Sequence, residues 1–132
     1  EDLVNFKNTN PSQNPKLKDQ KGIKISKDLI LQTSNCEQLS EVQGLILREK
    51  EIGLFVSHPS CPLDEMVMLE YLNLSHNYIS DCMGISKLTT LIELNLNYNK
   101  LTSLVGIDEL FNLEKLWVAQ NNVTDISPLK SC

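Results

Sequence analysis

The sequence repeats itself every 22 residues, in the blocks LEYLNLSHNYISDCMGISKLTT (69–90), LIELNLNYNKLTSLVGIDELFN (91–112) and LEKLWVAQNNVTDISPLKSC (113–132). When the three blocks are aligned, seven columns are apolar in every block. A fixed period of this length predicts a solenoid, in which each block forms one coil that stacks on the next. The seven columns are Leu69/Leu91/Leu113, Leu72/Leu94/Leu116, Leu74/Leu96/Val118, Ile79/Leu101/Val123, Cys82/Leu104/Ile126, Ile85/Ile107/Leu129 and Leu88/Leu110/Cys132.

A fourth, less regular block precedes these three. It fills the same columns only when five extra residues are admitted after Phe55. Terminal repeats of a solenoid are expected to be atypical, so we interpret 42–132 as four units that start at 42, 69, 91 and 113. Because an open end exposes apolar columns, we expect the repeats to continue beyond Cys132. The apolar residues of the first unit are Val42, Leu45, Leu47, Ile52, Phe55, Leu63 and Met66.

Each unit is predicted to open with a short strand. In 71–75, alternation turns the two leucines inward and Tyr71, Asn73 and Ser75 outward. The chain must then turn back, and the segment that returns is too short for a long helix. We therefore expect 3₁₀-helical or irregular turns on the opposite side of the solenoid.

A polar column marks the corner after each strand. An asparagine suits that corner, because its amide can donate to and accept from backbone groups that the turn leaves unpaired. The first unit departs from this rule with a lysine. The column consists of Lys50, Asn77, Asn99 and Asn121.

The resulting pattern, L-x-x-L-x-L-x-x-N-x-[ILV], resembles the leucine-rich repeat over 42–132. The 22-residue period is similar to that of the short class found in a protein phosphatase-1 regulatory subunit and in bacterial internalins. This resemblance implies an α/β fold: a right-handed solenoid with a concave parallel β-sheet, a 3₁₀ or irregular convex side and a short N-terminal cap helix.

Two segments precede the repeats. Residues 1–25 are rich in Lys, Asn, Gln and Pro, which predicts a flexible polar tail. Residues 26–41 are predicted to form a helical cap, with Ser26 as the N-cap and Asp28 in the first turn. This lead-in resembles the entry into the leucine-rich repeats of ciliary and cytoskeletal proteins.

Charge and hydropathy exclude several classes of partner. The chain has a net charge of −5, and residues 36–132 hold thirteen acids against six lysines and arginines. Such a surface repels phosphate backbones, so we expect no nucleic-acid partner. No apolar run approaches the ~18 residues that a membrane span needs, so we expect no membrane partner.

Nothing in the sequence indicates catalytic or metal chemistry. His58 and Cys61 share one loop, but zinc needs four ligands in a defined geometry, so we expect no metal site. No nucleophile motif or phosphate-binding loop is present, so we expect no enzyme, no cofactor and no small-molecule substrate. Cys82 and Cys132 fill apolar columns, which favours buried free thiols and a reducing compartment.

The candidate site is the outward side of the predicted sheet. Trp117 is the only tryptophan, and alternation turns it outward with Tyr71 and Tyr98. Trp, Tyr and Arg are enriched in interface hot spots, so we expect the aromatic residues to be anchors and their charged neighbours, including Arg48, to set specificity. The predicted partner-binding residues are Tyr71, Asn73, His76, Glu93, Asn95, Tyr98, Lys115 and Trp117.

The family resemblance implies the function. A leucine-rich repeat domain presents its concave sheet to a protein partner, so we expect a non-enzymatic scaffold or assembly subunit in the cytoplasm, at a cilium or the cytoskeleton. Two alternatives stay open. One is an extracellular or surface recognition protein, such as a receptor ectodomain or an internalin-like adhesin, and the other is a phosphatase regulatory subunit.

Overall fold

The structure is a computed structural model that describes residues 22–54 and 62–131. Short strands alternate with single 3₁₀ turns, and the alternation follows the period of the sequence. The strands and the helix are β1 (Ile23–Lys24), α1 (Lys27–Ser34), β2 (Gly44–Ile46), β3 (Ile52–Leu54), β4 (Tyr71–Asn73), β5 (Glu93–Asn95) and β6 (Lys115–Trp117). The 3₁₀ turns are Leu39–Glu41, Pro62–Glu65, Ile85–Lys87, Ile107–Glu109 and Ser127–Ser131.

One strand from each unit joins a four-stranded parallel sheet in the order β2-β4-β5-β6. The second apolar column lies in register across it, with Leu45 beside Leu72, Leu72 beside Leu94 and Leu94 beside Leu116. The 3₁₀ turns of successive units contact one another on the other side of the core. The predicted solenoid, with a parallel sheet on one side and 3₁₀ turns on the other, is confirmed.

The core consists of the apolar columns. From the first unit to the third their described members are buried, while the fourth unit is only partly buried and Ile126 is 67% exposed. This exposure follows from stacking, because a coil is covered only where a neighbour packs against it. Phe55 and Cys132 lie outside the described residues.

Ser75 departs from the predicted alternation. It is buried rather than outward, and its hydroxyl donates to Asn73 Oδ1 over 2.7 Å. The strand ends at Asn73, so the period of two that governs extended chain no longer applies two residues later.

The corner asparagines tie each unit to the one before it. Asn77 Oδ1 accepts the backbone N–H groups of Lys50 and Ile52, and its Nδ2 donates to the carbonyls of Leu47 and Leu74. Asn99 and Asn121 repeat this arrangement one and two units later. The corner therefore satisfies backbone groups that a turn leaves without partners, as the polar column predicts.

The N-terminal segment covers the first unit. Ser26 Oγ accepts the Leu29 N–H at 3.2 Å, so α1 begins where the sequence predicts it. The helix ends at Ser34, because Asn35 adopts a left-handed conformation with φ 60°. A separate 3₁₀ turn completes the segment predicted as the cap, 26–41.

The predicted tail of 1–25 is too long at its C-terminal end. Ile23–Lys24 forms β1, which pairs in parallel with β3, and Ile25 is buried in the core. The fold therefore includes residues 22–25, whose backbone groups form hydrogen bonds with β3. The composition of the segment does not reveal this pairing. Residues 1–21 lie outside the described residues. Across 22–54 and 62–131, no helix has the length and apolar character that crossing a membrane requires.

Candidate functional site

Two rows of side chains cover the exposed side of the four-stranded sheet, which we call the sheet face. Hydrogen-bonded pairing places Tyr71 beside Glu93 and Glu93 beside Lys115 in the first row. The second row places Asn73 beside Asn95, and Asn95 beside Trp117. Six of the eight predicted residues therefore lie together on one surface, because parallel pairing keeps each column of the repeat in line.

A third column continues the sheet face towards the corner. Glu49, His76, Tyr98 and Gln120 all have positive φ angles, between 56° and 60°. Backbone bonds hold this conformation: the His76 N–H donates to Asn97 O (3.0 Å) and the Tyr98 N–H donates to the carbonyl of Ala119 (2.9 Å). The left-handed conformation turns the chain from strand to corner, and it places these four side chains in a line along the rim.

The rings of His76 and Tyr98 stack on this rim. Their centroids are 4.4 Å apart and their planes differ by 13°. Tyr98 is 51% exposed and Trp117 is 41% exposed, whereas Tyr71 is half-buried. The structure thus brings the remaining two predicted residues to the edge of the sheet face as one aromatic pair, with a large exposed area.

An open groove of about 570 Å³ lies between the rim and the corner. It contains His76 and Tyr98, but most of its wall comes from residues that the sequence analysis did not assign to the site. Apart from Asn77 and Asn99, the lining residues flank the corner column by one position, with Lys50 as the corner residue of the first unit. That spacing is the signal that could have identified them. The groove is lined by Glu49, Glu51, His76, Asn77, Tyr78, Tyr98, Asn99, Lys100 and Gln120.

The charges of the sheet face largely cancel. Arg48 Nη1 lies 2.6 Å from Glu49 Oε1, and Lys115 Nζ lies 3.7 Å from Glu93 Oε1. Both pairs are largely exposed, so each contributes at most about 1 kcal/mol to stability. Their main consequence is that the face presents aromatic rings and amides with little net charge.

Asn73 and Asn95 have a structural role that the sequence did not reveal. Asn73 Oδ1 accepts the N–H of Ser75 at 2.9 Å, and Asn95 Oδ1 accepts the N–H of Asn97 at 3.0 Å. The oxygen of each amide therefore completes the end of its own strand. The NH₂ group is the part of each side chain that has no partner among the described residues.

The described residues hold no cluster of three or more His, Cys, Asp or Glu side chains that could bind a metal ion. His58 and Cys61, which share one loop in the sequence, lie outside the described residues. Two cysteines are described, Cys36 and Cys82, and both are free thiols.

Cys82 is expected to resist alkylation in the folded protein. Burial, together with the nearby carboxylate of Asp81, raises the pKa of its thiol to about 12. The reactive thiolate is correspondingly rare near neutral pH, so iodoacetamide should modify Cys82 at least about a hundredfold more slowly than the half-buried Cys36. Peptide mass spectrometry of time points measures both rates. Equal rates in the native protein contradict the burial of this column, whereas equal rates in denaturant are the control.

Comparison with known proteins is consistent with this architecture. A family model described as Leucine Rich Repeat matches residues 68–88. No curated protein sequence matches the chain. An internalin (inlF) of Listeria monocytogenes is 29% identical, with a TM-score of 0.61 over 70% of this chain and 26% of that one. An internalin C2 of the same organism is 29% identical, with a TM-score of 0.61 over 68% of this chain and 38% of that one.

A third structure shares the fold alone. It belongs to the SNF/U2A′ complex of Drosophila melanogaster and is 20% identical, with a TM-score of 0.50 over 82% of this chain and 76% of that one. The chain spans well under half of each internalin chain that it matches. The repeating columns, the parallel sheet, the corner asparagines and the family model that matches one repeat agree with one another, and the chain folds as a leucine-rich repeat solenoid.

Proposed function

We propose that the chain is a non-enzymatic module that binds a protein partner on the sheet face and acts as a scaffold or assembly subunit. Leucine-rich repeat proteins generally mediate protein–protein interactions. The observation that carries the proposal is the exposure of Trp117 and of the stacked pair His76 and Tyr98. The core does not need these rings, and large aromatic side chains exposed beside polar groups are typical of binding surfaces.

The rigidity of the sheet face favours this role. Every strand is held in register, and the ladder continues past the strands, where the Leu74 N–H donates to the carbonyl of Asn95 and the Leu96 N–H donates to the carbonyl of Trp117. A surface that is ordered before binding loses little conformational entropy when a partner docks. The aromatic anchors are therefore presented in a fixed arrangement.

We place the module in the cytoplasm, at a cilium or the cytoskeleton. The two described thiols are free, which supports a reducing compartment. The lead-in at 26–41, which resembles that of ciliary and cytoskeletal proteins, supports the finer location.

A second candidate is a surface recognition protein. The two internalins of Listeria monocytogenes are the observation in its favour, because each matches about two thirds of this chain at 29% identity. The two candidates differ in where the partner is found, and one binding experiment separates them.

The double variant Tyr98→Ala/Trp117→Ala is expected to lose the partner. Removing one central aromatic anchor costs about 2–4 kcal/mol of binding, so loss of both abolishes capture at ordinary concentrations. The full chain and the variant are immobilised and exposed to cytosolic extract of ciliated cells and, separately, to intact cells. Bound proteins are compared quantitatively by mass spectrometry.

The matched control is Met83→Ala/Phe111→Ala, which also removes two exposed apolar side chains but lies outside the sheet face. It is expected to retain the partner. A partner from cytosol that only the Tyr98→Ala/Trp117→Ala variant loses supports the scaffold, and binding to intact cells with the same dependence supports the surface protein. Equal capture by all three proteins contradicts a role for the sheet face.

A further inference from the structure

The side-chain amides of the sheet face have a fixed orientation of oxygen and NH₂ group. Asn73 Oδ1 accepts both the N–H and the hydroxyl of Ser75, and Asn95 Oδ1 accepts the N–H of Asn97. A backbone N–H can only donate, so the atom of each amide that faces it must be the oxygen. The NH₂ group of each side chain is therefore the end left for a partner.

In the fourth unit, the N–H at the end of the strand bonds to an amide oxygen from the neighbouring unit. Trp117 occupies the column of Asn73 and Asn95, and its indole has no acceptor for the N–H two residues later. Asn97 supplies that acceptor from the neighbouring unit, with its Oδ1 2.7 Å from the Ala119 N. Its amide is oriented for the same reason as the other two.

Three donor groups result, on Asn73, Asn95 and Asn97. All three side chains are partly exposed, and across 22–54 and 62–131 no hydrogen bond from their Nδ2 atoms is formed. The three amides present NH₂ donors, while each amide oxygen already accepts from the protein. A complementary surface must therefore supply acceptors along this line.

The charges of the sheet face help to decide which kind of acceptor group the partner supplies. Lys115 is paired with Glu93 and Arg48 with Glu49, so neither of these two cations is left to select a carboxylate. Sugar hydroxyls both donate and accept, whereas the unpaired groups of the three amides are all donors. The acceptor that is neutral, repeats along a chain and brings no hydrogen of its own is the peptide carbonyl.

We infer that the sheet face recognises an extended, uncharged segment of its partner, whose main-chain carbonyls accept hydrogen bonds from Asn73, Asn95 and Asn97 while an apolar side chain packs on Trp117. This inference rests on the proposed function and specifies the chemistry of the partner.

Aspartate is the substitution that isolates the donors. Asn73→Asp and Asn95→Asp keep an oxygen facing the backbone N–H, so the strand end stays satisfied and the fold is retained. Each variant replaces the NH₂ group by an oxygen that cannot donate and that repels a carbonyl. Gln32→Glu adds the same charge on the exposed surface of α1, away from the sheet face, and is the matched control.

The probe is a display library of linear random peptides, selected on the full chain and counter-selected on Tyr98→Ala/Trp117→Ala. Recovered peptides are synthesised, and their dissociation constants are measured for the original chain and the three single variants. We expect uncharged sequences that bind at least about tenfold more weakly to each aspartate variant and unchanged to Gln32→Glu. Circular dichroism melts should be the same for all four proteins or higher for the aspartate variants.

The inference is overturned if the peptides bind the aspartate variants as tightly as they bind the original chain. It is also overturned if the recovered peptides are acidic and their binding weakens as salt is added, or if no recovered peptide depends on the sheet face. None of these outcomes overturns the proposed function, which depends on loss of a protein partner by Tyr98→Ala/Trp117→Ala. Conversely, a protein partner that binds this double variant as tightly as the original chain contradicts the proposed function, whatever the peptide results.

Discussion

Replacing Leu96 by alanine is expected to lower the free energy of unfolding by about 2–5 kcal/mol. The side chain is fully buried in the third apolar column, between the equivalent positions Leu74 and Val118 of the neighbouring units. The backbone around it is fixed, because its N–H donates to the carbonyl of Trp117 and its own carbonyl accepts from the corner asparagines. The coil cannot collapse into the space that the smaller side chain leaves, which places the cost in the range of cavity-forming substitutions.

Urea unfolding followed by circular dichroism measures this change. The control is Phe111→Ala, which removes a larger side chain that is 80% exposed and should change stability by less than about 0.5 kcal/mol. A Leu96→Ala variant as stable as this control contradicts the assignment of the inward columns.

Replacing Asn99 by alanine is expected to cost about 1–3 kcal/mol of unfolding free energy, although the side chain is polar. Its Oδ1 accepts the N–H of Ile79, and its Nδ2 donates to the carbonyls of Leu74, Leu96 and Asn97. Asn99 is itself buried, so these groups face no water when the amide is removed. The three carbonyls keep other donors, because the amides of Asn77 and Asn121 and the N–H of His76 also bond to them. The buried N–H of Ile79 is the group that loses its acceptor, and an unpaired buried donor is costly.

Asn121→Ala is the matched comparison in the same unfolding assay. Its amide makes the same set of contacts one unit later, but the residue is only half-buried. Water can replace some of those contacts, so its cost should be clearly smaller than that of Asn99→Ala. Equal costs at the two positions indicate that burial of the corner does not determine its contribution to stability.

Most of the fold could be predicted because the repeat shows which positions are buried in every unit. A column that is apolar in every unit can only be the inward side of a stacked coil, and Leu72 and Leu94 lie in register in the core as expected. The corner amides were predictable for the same reason, since a turn between strand and return segment leaves unpaired backbone groups that a short amide can both donate to and accept from.

The N-terminal strand could not be predicted in this way. Ile23–Lys24 lies in a segment rich in lysine, without an apolar period, and its strand exists because β3 offers a parallel edge. Such pairing depends on a distant part of the chain and has no local signal. Composition alone therefore placed the start of the ordered structure a few residues too late.

The position of the candidate site could be predicted from the sequence, but the orientation of its amide groups could not. Alternation placed Asn73, Asn95 and Trp117 on the sheet face, where the structure has them. The sequence could not show that each amide oxygen caps a strand end, because that depends on the short distances to Ser75 and Asn97. The groove beside the rim was not predicted, because its residues lie in the columns on either side of the corner, whereas the site was sought on the outward side of the strands.

Trp117 allows a direct test of binding at the sheet face, because it is the only tryptophan of the chain. The full chain is produced with fluorotryptophan, which gives a single fluorine NMR signal from the sheet face. The protein partner identified by the capture experiment is then added, while sedimentation independently confirms that a complex forms. We expect the signal to shift or broaden in proportion to the complex formed. A complex that forms while the signal stays unchanged contradicts binding on the sheet face.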